Sequence, residues 1–110
     1  MQVINYMKAG DKHSAGAMYD LLGPTKDVLK PNDWNHVVLT CKDNKITVVI
    51  NGEQVIDMDV DKWTEAGKNP DGTKNKFKTP IAKFKREGHV GLQDHGAAVE
   101  YRNVKIKPLK

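Results

Sequence analysis

The sequence predicts an all-β protein built as an antiparallel sandwich. Apolar and polar residues alternate along several short segments, and the spacing of an amphipathic helix is nearly absent. Turn formers such as Asp43-Asn44 and Asn51-Gly52 stand between those segments. The 110 residues allow one domain, 1–110.

Residues 1–6 (MQVINY) and 16–22 (GAMYDLL) read as strands separated by a polar loop. Residues 34–42 (WNHVVLTCK) put Val37, Leu39 and Cys41 on one face, and residues 45–51 (KITVVIN) do the same with Ile46, Val48 and Ile50. Both are patterns of half-buried antiparallel strands. Asp43-Asn44 makes a two-residue hairpin loop between them, because Asn and Asp tolerate the positive φ of a type I′ turn. Asn51-Gly52 turns the chain into 54–60, where Ile56, Met58 and Val60 face inward and Asp57 and Asp59 face water. The three strands form a meander.

Residues 88–93 (GHVGLQ) and 99–106 (VEYRNVKI) read as a further pair joined at Asp94-His95-Gly96. In the last segment Val99 and Tyr101 share one parity, and Val104 and Ile106 the other. A β-bulge near Arg102-Asn103 would restore one buried face; the alternative is a strand buried on both sides. Between the two groups lies a long loop, 61–87. Asp61 is placed to cap a short helix over 62–66, and Thr79-Pro80 to open a turn at 81–84 with proline at its first position. Trp63, Phe77 and Phe84 predict that this loop folds back and packs.

The formal charge of +4 comes from 18 Lys and Arg against 14 Asp and Glu. Eight of the basic and four of the acidic residues lie within 61–87, so the rest of the chain is neutral. A nucleic-acid binder spreads its basic residues over a face or groove with aromatics for stacking. This excess belongs to one solvated, lysine-rich loop, and no nucleic-acid partner is expected. No apolar run approaches the roughly 20 residues of a membrane span, and the N-terminal residues contain no secretory signal. The single cysteine, Cys41, excludes an internal disulfide and a cysteine zinc site. With one serine and no GxSxG, a serine triad has no support.

Chemistry concentrates in GHVGLQDHG, residues 88–96. Val90 and Leu92 take the core parity and leave His89, Gly91, Gln93 and His95 on the other. Such a face offers hydrogen bonds to a polar ligand, and Gly91 permits close approach. The same residues also read as a plain hairpin turn with solvated histidines. Tyr19 and Asp20 alternate across 16–22, so one of them can face a cleft. Gln2 and Asn5 mark either a ligand face or a solvent face. His13 and His36 read as loop side chains without a role. His89, His95 and Asp94 have the donor types of a divalent metal site.

As a set, WNHVVLTCKDNKITVVINGEQVID, the long loop and GHVGLQDHGAAVEYRNVKIKPL resemble the C-terminal half of a bacterial family, the 3-keto-disaccharide hydrolases, also called DUF1080. GAMYDLL and QVIN resemble two further strands of that family. The resemblance implies a concanavalin A-like lectin/glucanase jelly roll, of which 1–110 would be the C-terminal half, with exposed strand edges prone to self-association. It implies cleavage of 3-keto-glycosides by elimination and hydration in the full-length parent, while this half alone lacks an assured activity. The rival is a non-catalytic carbohydrate-binding module, and a purely structural sandwich is a third reading. The resemblance puts His95 at the proton step or on a metal, Asp94 beside it orienting or ligating, and Gln93, Tyr19, Gln2 and His89 on the sugar. It also implies a periplasmic or extracellular location and leaves a divalent metal ion as the candidate cofactor.

Overall fold

The computed structural model describes residues 1–93 and 95–109. Three strands, β1 (Val37–Lys42), β2 (Lys45–Ile50) and β3 (Glu53–Asp59), form one antiparallel sheet in the order β1-β2-β3. The meander is the one expected, and its turns show why. Asp43 takes φ 53°, and Asn51 and Gly52 take φ 52° and 82°, the left-handed pair that suits a tight hairpin. Asn51 also ties the hairpin down. Its Oδ1 accepts from His36 N–H (3.0 Å), and its Nδ2 donates to Val28 C=O and Asn35 Oδ1, both at 2.9 Å.

Val48, Ile50, Ile56, Met58 and Val60 are buried as their alternation predicts. Val55 is buried as well, because the β2–β3 register jumps from Val48↔Ile56 to Val49↔Gln54 and leaves Val55 as the extra residue of a bulge. The carbonyl of Val55 accepts from Thr25 N–H at 2.9 Å, so the bulge joins the sheet to the N-terminal segment. Trp63, Ile81, Met7 and Ala15 complete the core.

Residues 1–6 and 15–17 run against each other without becoming regular strands. Gln2 N–H donates to Ala17 C=O (2.8 Å), Gly16 N–H to Gln2 C=O (3.0 Å) and Ala15 N–H to Tyr6 C=O (2.7 Å). In 16–22 the bridge is only local, between Met18 and Leu22. Gly16 sits at φ 81°, and a Cβ there would lie 2.9 Å from Ile50 Cδ1, so the segment approaches β2 closely because this residue has no side chain.

Other expectations are corrected. Val37, Leu39 and Cys41 lie opposite Ile50, Val48 and Ile46, hence on the core side. They are nonetheless exposed, since the buried cluster is built from β2, β3, the N-terminal segment and the loop and does not extend over β1. Residues 88–93 and 99–106 form no strands, and Val90, Leu92, Val104 and Ile106 are all exposed. A strand requires an edge to pair with, and these segments engage none, so no bulge arises at Arg102-Asn103. Asn103 does adopt φ 54°. This C-terminal stretch is held by side chains instead, with the Arg102 guanidinium 4.0 Å from the centre of the Trp34 ring.

The 61–87 loop packs as expected, with Trp63 buried and Phe77 edge-on to Phe84 at 6.1 Å, while its lysines stay exposed. Its helical pieces differ. Asp59, not Asp61, caps a 3-10 turn at Val60–Lys62 by accepting from Asp61 N–H. A second turn spans Ile81–Lys83, with Pro80 at the cap position. Among the described residues no helix is long and apolar enough to cross a membrane.

Candidate functional site

Segments more than 90 residues apart in sequence meet at Gln2. Its side chain is 1% exposed, and both ends of its amide are engaged. Oε1 accepts from Gln93 Nε2 at 2.5 Å, which leaves Nε2 to donate to His95 Nδ1 at 3.1 Å. With Nδ1 accepting, the hydrogen of the neutral His95 ring sits on Nε2. Tyr19 packs against the same imidazole, ring centres 6.0 Å apart. Four of the residues expected to form the site, Gln2, Tyr19, Gln93 and His95, are therefore brought together. Gln2 is the buried member of the four, with its amide engaged by Gln93 and His95. His89 is exposed and joins none of these contacts. Asp94 lies outside the described residues.

On the other side of the cluster sequence reasoning missed His13, while Asp20 was one of the two residues given as able to face a cleft. His13 packs on Tyr19 with ring centres 4.8 Å apart, and its Nε2 lies 2.9 Å from Asp20 Oδ1. Asp20 Oδ2 accepts from the Lys76 backbone N–H at 2.7 Å. The His13 hydrogen bond, helped by the Lys76 amide, holds the Asp20 carboxyl below the usual carboxylate range against partial burial. The Lys76 ammonium sits 4.8 Å from the Tyr19 ring centre.

Asn69 brings the lysine-rich loop to this place. It is buried, accepts from Trp63 Nε1–H (2.9 Å) and Asn75 Nδ2 (2.8 Å), and donates to Asp20 C=O and Thr73 Oγ1, both at 3.1 Å. Lys12 reaches across to Thr73 Oγ1 and Lys74 C=O. The loop is therefore one wall of the cluster. A signal was present in the His-x6-Asp spacing, but no local pattern tells such a pair from two solvated loop residues.

Among the described residues no group of three or more His, Cys, Asp or Glu side chains converges.

No curated protein matches the chain. Among solved structures it is similar to a candidate glycosyl hydrolase from Parabacteroides distasonis, at 40% identity and a TM-score of 0.61, over 64% of this chain and 38% of that one. The chain thus spans about 38% of the length of that protein. The fold class is the expected one, an all-β chain of the jelly-roll type with an antiparallel sheet and little helix. The model of the 3-keto-alpha-glucoside-1,2-lyase-like domain matches residues 1–107. With nearly every residue within that match, including the glutamine, tyrosine and histidines of the cluster, the chain belongs to the 3-keto-alpha-glucoside-1,2-lyase-like family.

Proposed function

We propose that the protein carrying this chain is a carbohydrate-acting, hydrolase-like enzyme that cleaves 3-keto-glycosides by elimination and hydration. A C3 ketone acidifies the C2 proton. Its removal places negative charge on the C3 oxygen, and expulsion of the C1 substituent re-forms the ketone as part of an enone to which water adds. This chemistry requires a proton acceptor and a donor aimed at the C3 oxygen, where charge develops. It does not require the facing carboxylate pair of ordinary glycosidases.

The observation that carries this reading is the buried Gln2 amide, which turns the Nε2–H of His95 outward beside Tyr19. A neutral imidazole N–H held in this way is a donor for an enolate oxygen. Tyr19 touches both imidazoles and the Lys76 ammonium and so holds these groups together, and Gln93 adds a polar group. Support also comes from the family match and from the similarity to a candidate glycosyl hydrolase.

The test is release of aglycone from a chromogenic 3-keto-glucoside, with and without chelator. No release together with retained glycan binding would favour a carbohydrate-binding module. His95→Ala is expected to lower turnover by about 10²-fold or more, and an unchanged rate would remove His95 from the site.

A further inference from the structure

On the proposed reaction, the first step removes the C2 proton, and His95 faces the wrong way for it. Gln2 donates to its Nδ1, so the neutral ring presents a hydrogen, not a lone pair, at Nε2. A second imidazole packed on the same tyrosine has the opposite arrangement. His13 Nε2 is directed at the Asp20 carboxylate, which can only accept, so the lone pair of the neutral ring lies on Nδ1. Its orientation is fixed at several points. Asp11 Oδ1 accepts from His13 N–H at 2.8 Å, while the Lys76 amide and buried Asn69 hold Asp20. His13 keeps about half of its side-chain surface, 53%, open to a ligand.

We propose that His13, oriented by Asp20, is the proton acceptor of this site and that His95 is its complementary donor. The inference rests on the 3-keto-glycoside reading. In the step, His13 Nδ1 takes the C2 hydrogen as a proton, and the C–H electron pair becomes the C2–C3 double bond of an enolate. The enolate oxygen accepts a hydrogen bond from His95 Nε2–H without taking its proton. Return of the electrons forms the C1–C2 double bond, restores the ketone and breaks the C1–O bond. The departing oxygen takes the proton back from His13. The products are the enone and a free alcohol, and both imidazoles end neutral. The Asp20 carboxylate stabilises the intervening imidazolium, and Lys76 adds positive charge beside Tyr19.

The test uses the purified protein and p-nitrophenyl 3-keto-glucoside, in its ordinary form and deuterated at C2. His13→Ala is expected to reduce kcat by about 10²-fold or more with KM within about threefold, as loss of a proton-transfer group does. Added imidazole should restore turnover in proportion to its unprotonated fraction, an effect that a purely structural role would not produce. Asp20→Asn should lower kcat at least about tenfold, with the C2 isotope effect retained. If His13→Ala turns over within threefold of wild type, or melts like wild type but is not rescued by any concentration of imidazole, the assignment is overturned. Should substitution of His13 unfold the protein, Asp20→Asn decides: a rate equal to wild type overturns the assignment. Failure of the underlying reading would look different, because the wild-type protein would then release no nitrophenol, and this inference would fall with it.

Discussion

Replacing Asn69 by alanine should unfasten the lysine-rich loop. The asparagine is 4% exposed and makes four side-chain hydrogen bonds, one of them to the indole N–H of Trp63, itself 5% exposed. Alanine leaves that N–H buried without an acceptor, which costs about 1–3 kcal/mol. The Asn75, Thr73 and Asp20 partners are more open and can turn to water, so their loss adds about 1 kcal/mol together. The total is about 3 kcal/mol, which for a chain of this size lowers Tm by roughly 12–20 °C. Thermal and urea unfolding followed by circular dichroism measure the loss. Trp63→Phe removes the donor while Asn75 still serves the Asn69 oxygen, so the double variant should be less destabilised than the sum of the singles by about 1 kcal/mol or more. A loss below about 0.5 kcal/mol for Asn69→Ala, or additivity within that margin, would refute the view that this pair anchors the loop.

Further outcomes follow from other contacts. A Cβ on Gly23 would lie 2.5 Å from the Gly10 carbonyl carbon, so Gly23→Ala should lose about 1–3 kcal/mol in the same melts. Asp20 has a lowered folded-state pKa, so its contribution is present above the ordinary carboxylate pKa and fades as pH falls through the folded value. Wild type should therefore lose stability in acid more steeply than Asp20→Asn, read as Tm against pH. Arg102→Ala removes the cation over Trp34 and should cost about 0.5–1 kcal/mol, with faster amide exchange in the C-terminal segment. Val38→Lys on exposed β1 should leave Tm nearly unchanged, within about 0.5 kcal/mol, and sedimentation would report any reduction in self-association.

Much of the fold could be read directly. The meander follows from period-two alternation and two turn dipeptides, both of which are local properties. Asn35 and Asn51, within the motif that carries the family resemblance, proved to be hydrogen-bond partners holding the hairpin. Segment 88–93 alternates as well, and 99–106 does so with one switch of parity, yet neither forms a strand, because alternation describes a surface that suits a sheet and cannot supply the neighbouring edge. The bulge at Val55 was equally invisible, since it depends on register between two strands.

By itself the sequence determined the family, the β class, the neutral body with its charged loop, and the identities of Gln2, Tyr19, Gln93 and His95 as candidates. Only the tertiary structure decided what those residues do. The tautomer of His95 depends on an amide 93 positions away, and the pairing of Asp20 depends on a loop amide 56 positions away. A proton's location is set by the groups a side chain touches, and contacts between distant segments exist only once the chain is folded.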